Sequence, residues 1–288
     1  MIDWRQEQFD TIQPQKLLLQ PHIAYYYFHQ TFKEDFQRVF TYYPNYHVAL
    51  NIFRHSNIQW KKDKRCTLPD PSKRHTAILT FSTQGSRDVC MNGCIQKIGV
   101  IFRPLGFNHF IDVPLGNLIQ DTITSFDYYD SSFNEVVDRV FEAATLPEKR
   151  DLLDNFFLEH YHPIALEELQ IAVSKIMKEN GQCIVDDLAK SLNLNRKTLL
   201  RHFNKHLGLH IRGFSNLVRF RNALQLYKKQ KGNINLTQLA HEAQYYDQAD
   251  FIKNIRAFTG LTPKKLFYQQ REIGGQNTFW TSKNRKEF

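Results

Sequence analysis

The amino-acid sequence predicts an α+β fold in which a strand-rich N-terminal domain precedes an all-α C-terminal domain. Three observations lead to this fold class. Short runs of β-branched and aromatic residues, bounded by Pro, Asn, Asp and Gly, dominate the first 110 residues, as is typical of strands. From about residue 131 onward, apolar residues recur at helical spacing instead. Pro163 then interrupts the helical pattern, so a linker is expected near 159–165.

The elements of the N-terminal domain can be placed one by one. Four runs have the composition of strands, namely "HIAYYYFHQTF", "HVALNIFRH", "HTAILTFST" and "KIGVIFRPL". Two later segments, "SFNEVVDRVFEAA" and "EKRDLLDNFFLEHY", each place their apolar residues on one helical stripe. The N-terminal domain is therefore expected to span residues 1–160.

Helices are predicted throughout residues 165–270. Asn195 is a good N-cap for one of them, and Gly208 is a suitable stop for the same helix. Pro263 suits the first position of the last helix. The segment "GGQNTFWTSKNRKEF" that follows has no periodicity, and residues 271–288 are expected to form a flexible tail.

Composition predicts a packed globular protein of the cytoplasm. Hydrophobic residues make up 42% and charged residues 23% of the 288 residues. No run of about 18 apolar residues predicts a membrane span, and the start "MIDWRQEQFD" lacks the apolar segment of a secretory signal. The cysteines are too few for a disulfide scaffold and are expected to be reduced thiols. They are Cys66, Cys90, Cys94 and Cys183.

The net charge of +9 is concentrated in the C-terminal part of the chain. Residues 1–159 contain 17 Lys and Arg against 19 Asp and Glu, whereas residues 160–288 contain 21 against 10. A negatively charged partner is therefore expected to bind the C-terminal part, and nucleic acid is the commonest such partner. A merely solvated basic surface is the alternative.

Two segments of the C-terminal half repeat one pattern. Both "LAKSLNLNRKTLLRHF" (188–203) and "LAHEAQYYDQADFIKNI" (239–255) open with Leu-Ala, turn, and restart at a capping residue, Asn195 or Asp247. Large apolar residues follow four and eight positions on, and the second copy has one extra residue in its turn. This pattern predicts two helix–turn–helix units. In such a unit one helix braces the other, whose free face can then meet base edges in the major groove.

The predicted free faces of the two reading helices are rich in residues that bind DNA. Arg bonds guanine bidentately, Asn and Gln bond adenine, and Lys and Arg bond phosphates. We therefore take the residues of these faces as candidate DNA-binding residues. They are Arg196, Lys197, Leu200, Arg201, Asn204 and Lys205 in the first unit, and Gln248, Ala249, Lys253 and Arg256 in the second.

The region 165–270 resembles the DNA-binding domain of the AraC/XylS family of bacterial transcription regulators. The resemblance is carried by "RHFNKHLG" (201–208), "RFRNA" (219–223) and "LAHEAQYYDQADFIKNIRAFTGLTP" (239–263). It implies seven helices, with two helix–turn–helix units joined by a linker helix over 211–230 and reading helices that enter successive major grooves. By position in that pattern, the residues facing bases would be Lys197, Leu200 and Arg201 in the first unit, and Gln248, Ala249 and Lys253 in the second.

Three positions depart from this resemblance or weaken it. Gln244 stands where the family usually has Gly in the second turn, and must either adopt a positive φ or change the turn. Ile211 stands where the family often has Pro. Asp250 lies in the first turn of the second reading helix, where it suits the helix dipole but would repel a phosphate.

The N-terminal half resembles, through "PHIAYYYFHQ" (21–30) and "IGVIFRPLGFNHFIDVPLGNL" (98–118), the sensor domain of one subgroup of that family. The resemblance implies a cupin-like β-barrel with a helical pair, which binds an effector or dimerises. The aromatic run "AYYYFHQ" is expected in a barrel core or dimer face rather than in a ligand pocket. Candidate partners are double-stranded DNA, a small-molecule effector, a second copy of the chain and RNA polymerase.

An enzyme or metal-binding barrel with an accessory helical domain is the alternative function. The spacing of Cys90 and Cys94, with Cys66 and several His in the same domain, would suit zinc if the ligands converged. Two small buried hydrophobic residues explain the same pair equally well. No motif of a hydrolase, a phosphate-binding loop or a metalloprotease is present in the sequence. We therefore expect no enzymatic activity, no catalytic residue, no metal and no cofactor.

Overall fold

The computed structural model describes residues 6–61, 64–81, 83–119, 121–273 and 278–283. The strands are β1 Glu7–Ile12, β2 Ile23–Thr31, β3 Gln37–Tyr42, β4 Val48–Arg54, β5 Ser56–Lys61, β6 Lys64–Pro69, β7 His75–Thr80, β8 Arg87–Asn92, β9 Gln96–Phe102, β10 Ile123–Ser125, β11 Arg271–Ile273 and β12 Thr278–Lys283. The helices are α1 Leu115–Leu118, α2 Ser131–Glu142, α3 Leu146–Glu159, α4 Glu167–Lys178, α5 Val185–Ser191, α6 Arg196–Leu207, α7 Ile211–Lys229, α8 Leu236–Glu242, α9 Gln248–Thr259 and α10 Pro263–Gln269, with a 3₁₀ helix at Gly106–Phe110. The predicted α+β fold class is confirmed.

Two six-stranded sheets form the N-terminal domain. The first has the order β1-β2-β9-β4-β7-β10, and the second has the order β11-β12-β3-β8-β6-β5. All residues of strand β2 except the half-buried Gln30 are buried, because the two faces of the strand pack against different layers. Tyr26 and Phe28 face the core formed with α2 and α3, whereas Tyr25 and Tyr27 point the other way, into the space between the sheets. Gly99 lies opposite Tyr27, whose ring fills the space that a Cβ would occupy.

The helical pair α2–α3 is fixed to the outer face of the first sheet. Asp154 of α3 is fully buried and accepts hydrogen bonds from Tyr26 Oη at 2.8 Å and from the backbone amides of Gln15 and Lys16 at 2.9 and 3.1 Å. Three donors satisfy the oxygen atoms of this side chain, as a buried polar group requires. This network ties α3, β2 and the loop before β2 into one unit.

Seven helices follow between Glu167 and Gln269, as the resemblance implies. The helices pack in two groups that differ in their cores. The helices from α4 to the first half of α7 share one continuous hydrophobic core with the first sheet and α2–α3. The second half of α7 and α8–α10 form a separate core, to which the strand-rich domain contributes Tyr43.

The prediction of a flexible tail over 271–288 is wrong for the two strands that it contains. β11 and β12 pair with each other, and β12 then pairs with β3, so that Trp280 lies opposite Tyr42. Trp280 packs against Phe9 and Phe40 at ring-centroid distances of 5.9 and 5.2 Å. The free edge of β3 and these rings order a segment that has no periodicity of its own. Residues 274–277 and 284–288 of the predicted tail lie outside the described residues.

The prediction of four reduced cysteines is wrong for two of them. Cys66 and Cys90 face each other on the neighbouring parallel strands β6 and β8 and are joined by a disulfide. Cys94 lies beyond the turn at Gly93 and is exposed, so that the C-x₃-C spacing does not bring it together with Cys90. Among the described residues, no group of three or more His, Cys, Asp or Glu is arranged to hold a metal ion.

Over the described part of the chain, no helix combines the length and the apolar character needed to cross a membrane.

Candidate nucleic-acid interface and effector cavity

The first helix–turn–helix unit consists of α5 and α6. Its turn contains Asn193 at φ 53°, followed by Leu194, whose amide donates to Ala189 O at 3.0 Å. Asn195 then caps α6 by accepting a hydrogen bond from Thr198 N at 2.7 Å. Because Asn tolerates the left-handed region better than most residues, this turn carries little strain.

The second unit, α8 and α9, repeats the same geometry. Gln244 adopts φ 64°, Tyr245 N donates to Ala240 O at 3.0 Å, and Asp247 caps α9 by accepting from Asp250 N at 2.7 Å. Of the two outcomes expected at Gln244, the chain therefore adopts the positive φ and keeps the turn. The side chain of Gln244 accepts a hydrogen bond from Gln182 Nε2 at 2.7 Å, which connects the second turn to the loop after α4.

Both reading helices bury one face and expose the other. Leu199 and Phe203 of α6, like Phe251 and Ile255 of α9, are fully buried. Each helix ends at a glycine with φ 68°, Gly208 or Gly260, as predicted for the first. Nine of the ten candidate DNA-binding residues are exposed: Arg196, Lys197, Arg201, Asn204, Lys205, Gln248, Ala249, Lys253 and Arg256.

The tenth candidate, Leu200, is half-buried and packs against the hydrophobic core. Two exposed candidates also have partners within the protein. Arg196 forms an ion pair with Asp186 at 3.3 Å, and Gln248 accepts a hydrogen bond from Thr237 at 2.9 Å. Both contacts lie at the surface, where an ion pair contributes little and can be exchanged for a phosphate. Lys197, Arg201 and Lys253 take part in no ion pair with another described residue.

Sequence reasoning missed Tyr246 as a candidate site residue. Its side chain is 94% exposed, directly before the cap of α9. The one-residue difference between the two turns could have identified it, since Tyr246 is the additional residue of the longer turn.

A second site lies between the two sheets, where a cavity of about 130 Å³ opens. Strands of both sheets, α7 and the C-terminal strand β12 all contribute to its wall. The lining contains no carboxylate among the described residues. Its aromatic members are Phe9, Tyr25, Tyr27, Phe40, Tyr42, Tyr43, Phe53 and Trp280, and its cationic members are Arg65, Lys97 and Arg221. The aromatic run of β2 is thus divided between the core and this cavity.

Lys97 is the cation whose environment is least suited to a charge. Its ammonium nitrogen lies 5.0 Å from the ring centroid of Tyr27, 5.1 Å from that of Phe53 and 6.0 Å from that of Trp280. No described carboxylate forms an ion pair with it. Burial lowers the pKa of Lys97 to about 7. An anion placed beside it would supply the missing countercharge.

Arg221 brings the helical domain to the cavity wall. It is a buried residue of α7, the helix that links the two helix–turn–helix units, and it lies near Tyr25 and Tyr46. Burial lowers the pKa of Arg221 as well. Burial and the charges of Arg221 and Arg103 lower the pKa of the neighbouring His47 to about 3, which keeps this imidazole neutral. One side of the cavity therefore belongs to the helical C-terminal domain.

Residues 188–269 match a protein-family model described as a helix-turn-helix domain. The match covers the end of α5 and the whole of α6–α10, and it confirms the predicted helix–turn–helix domain. Since the matched segment is less than a third of the chain, it identifies the C-terminal domain alone.

Solved structures to which the chain is similar include two of ToxT from Vibrio cholerae. Wild-type ToxT with bound unsaturated fatty acid shares 12% identity over 91% of this chain and 95% of that chain, at a TM-score of 0.45. ToxT of strain O395 shares 13% identity over 92% and 98% of the respective chains, at a TM-score of 0.42. The C-terminal domain of AraT, a response regulator from Geobacillus stearothermophilus, shares 20% identity over 38% of this chain and 88% of that chain, at a TM-score of 0.34. A search of curated proteins found no match.

Proposed function

We propose that the protein is a sequence-specific DNA-binding regulator of transcription whose N-terminal domain binds a small anionic effector. The proposal of DNA binding is supported by the two reading helices, α6 and α9. Each of them is braced by its partner helix and exposes a polar face. The helix-turn-helix match over residues 188–269 supports double-stranded DNA as the partner. We assign DNA binding to residues 165–270, and effector binding to residues 1–160 together with β12.

In this proposal α6 and α9 enter successive major grooves. Arg201 and Lys253 are exposed on the two reading faces and take part in no ion pair with a described residue, so both are free to contact DNA. Arg196, Lys197 and Lys205 add positive charge around α6, and Arg256 adds it at the end of α9. These cations neutralise phosphates, while Asn204, Gln248 and Ala249 present small polar or apolar surfaces to base edges.

The test uses a duplex selected by the protein from a random-sequence pool. Arg201→Ala and Lys253→Ala are each expected to weaken binding, by about 1–3 kcal/mol where the lost contact is to a base. Binding of the unaltered protein should fall steeply with salt, because phosphate contacts release counterions. Lys33→Ala, an exposed lysine between β2 and β3, is the matched control and should leave both quantities unchanged. Unaltered affinity in both reading-helix variants would reject this placement of the DNA.

For the effector, the cavity favours an apolar molecule with one acidic group. Its aromatic wall excludes water from the body of such a ligand, and Lys97 provides the countercharge for the acid. A neutral ligand of the same shape would leave a buried ammonium group without a partner. Since Arg221 of α7 lines the same cavity, a ligand there touches the helix that holds both reading units.

The effector proposal is tested with dodecanoate and with dodecanol as its neutral counterpart. Dodecanoate is expected to bind more tightly, and Lys97→Met should remove most of that preference, since a hydrogen bond to a charged group contributes about 1.5–3 kcal/mol. Lys33→Met is the control. Equal binding of the two probes, unaffected by Lys97→Met, would contradict the assignment of Lys97.

The same contact predicts a pH dependence. The anion stabilises the protonated ammonium of Lys97, whose pKa in the free protein is about 7, so binding raises that pKa. Affinity for dodecanoate should therefore be nearly constant below pH 7 and fall by up to about tenfold per pH unit above it. Titration calorimetry between pH 6 and 9 measures this fall, which Lys97→Met should abolish.

Further proposals follow from the family resemblance. We expect the protein to act in the cytoplasm, to lack enzymatic activity, and to contact RNA polymerase and a second copy of itself. Sedimentation of the purified protein with and without DNA measures the last of these. If the protein were a monomer under both conditions, the proposed self-association would be rejected, while the proposed binding to DNA would be unaffected.

A further inference from the structure

Tyr246 is the residue by which the second turn is longer than the first. In the first unit one residue, Leu194, separates the left-handed Asn193 from the capping Asn195. In the second unit Tyr245 and Tyr246 separate Gln244 from Asp247. Tyr245 occupies the buried position, which leaves Tyr246 as the additional residue.

The backbone on both sides of Tyr246 is held in place. Tyr245 donates a hydrogen bond from its hydroxyl to Asn254 Oδ1 at 2.8 Å, and its ring lies edge-on to Phe251 at 5.1 Å. On the other side, Asp247 caps α9. The side chain of Tyr246 therefore projects from a fixed point, although its own exposure gives it no part in the packing of the fold.

The position of Tyr246 matters more than its exposure, since single exposed apolar residues are common on protein surfaces. In a helix–turn–helix unit the reading helix enters the groove with its N-terminal residues toward the bases, so the turn before it lies beside the phosphates of the groove wall. The dipole at the start of α9 attracts a phosphate, but the carboxylates of Asp247 and Asp250 repel one. A neutral hydroxyl can donate to a phosphate oxygen here without adding charge, and Tyr is among the side chains that do so.

We propose that Tyr246 donates a hydrogen bond from its hydroxyl to a DNA phosphate beside the groove that α9 enters. The contact positions α9 without reading sequence, and the first unit has no counterpart for it. This proposal rests on the proposed function, because it requires α9 to be a reading helix.

The test is Tyr246→Phe, which removes the hydroxyl alone. On the selected duplex the dissociation constant is expected to rise about three- to tenfold, the usual effect of losing one hydrogen bond. The rise should be similar on a duplex of unrelated sequence, because the contact is to the backbone. The slope of log affinity against log salt should stay unchanged, since a neutral donor releases no counterion, whereas Lys253→Ala should reduce it by about 1.

Tyr268→Phe is the matched control, because Tyr268 is 79% exposed on α10 and is not in the turn of a reading unit. It should leave affinity unchanged, and neither variant should change the melting temperature. Unchanged affinity in Tyr246→Phe, with Lys253→Ala still impaired, overturns the role of Tyr246 and leaves the proposed function standing. Unchanged affinity in Tyr246→Phe, Lys253→Ala and Arg201→Ala together overturns the proposed function itself.

A protein partner would give a different pattern. If Tyr246→Ala bound DNA normally but lowered transcription in a purified system, the exposed ring would serve a protein contact. That result would also overturn the phosphate contact proposed here.

Discussion

The two helix–turn–helix units have nearly the same internal geometry and different surroundings. Each has a left-handed residue in its turn, and each reading helix has a capping side chain, buried apolar residues four and eight positions after the cap, and a terminal glycine. The first unit shares one hydrophobic core with the strand-rich domain, whereas the second has a core mostly of its own. The repeated sequence pattern thus determines the internal geometry of each unit. Residues outside the pattern determine which other elements each unit packs against.

Contacts at the ends of the reading helices show the difference. Asn108, from the 3₁₀ helix of the N-terminal domain, donates to His206 O at the end of α6 at 2.8 Å. Gly116 of α1 lies so close to α6 that a Cβ would be 2.6 Å from Asn204 O. At the end of α9 the corresponding contact is a hydrogen bond of 3.3 Å from Ser86 to Thr259 O. We therefore expect a change in the N-terminal domain to affect α6 through more direct contacts than α9.

The charges on the two faces differ as well. Four of the candidate residues on α6 are cations, against two on α9, where Asp250 is also present. We therefore expect α6 to contribute more of the salt-dependent affinity and α9 to depend more on placement within the groove.

The largest expected effect would test whether the two cores unfold independently. Phe203→Ala and Phe251→Ala each remove a fully buried ring and should cost about 3–5 kcal/mol in the free energy of unfolding. In hydrogen exchange, Phe251→Ala should raise exchange in α8–α10 and the second half of α7. Phe203→Ala should instead raise exchange in α4–α6, the first half of α7, the first sheet and α2–α3. If both variants raised exchange in the same set of elements, the second unit would be coupled to the strand-rich domain as strongly as the first. That result would contradict the two separate cores.

A smaller effect is expected from separating α1 and α6. In Gly116→Ala the new methyl group would meet backbone carbonyl oxygens of α6, and such overpacking costs about 1–3 kcal/mol. DNA affinity should change, and the change should disappear on a duplex whose half-site for α6 is scrambled. Gly213→Ala is the control, because a Cβ on α7 at that position meets no atom within 4 Å. A Gly116→Ala protein that binds both duplexes normally would contradict direct coupling to α6.

The smallest effect concerns the turns. Gln244→Gly should stabilise the protein by up to about 1 kcal/mol, because glycine adopts a positive φ without strain. Asn193→Gly should gain less, since Asn tolerates that region better. Thermal melts of the two variants measure the difference. A larger gain at Asn193 would mean that the hydrogen bond from Gln182 to Gln244 outweighs the strain.

What the sequence predicted well was local. Asn195, Asp247 and Pro263 begin helices where expected, because capping and the fixed φ of proline act within one turn of the chain. The sequence analysis also limited Gln244 to a positive φ or a changed turn, because this constraint too acts within one turn of the chain. The exposed reading faces followed from the spacing of buried residues such as Leu199 and Phe251.

What the sequence did not predict depends on distant parts of the chain meeting. The disulfide joins Cys66 and Cys90 through the parallel pairing of β6 and β8, whereas the sequence analysis expected all four cysteines to be reduced. The cavity needs Lys97 and Arg221, which are 124 positions apart in the numbering and belong to different domains. Neither the approach of the two cysteines nor that of the two cations produces a periodic pattern in the sequence.

The pairing of β12 with β3 means that the helical domain is connected to the sheets twice, once before α4 and once after α10. The helical domain is therefore inserted into the sequence of the strand-rich domain, and the two domains do not simply follow one another along the chain. If the chain were cut near 163, the helical domain would still be held to the sheets by the pairing of β12 with β3. Because Trp280 lines the cavity, the cavity wall can be completed only after the chain has been synthesised as far as Trp280.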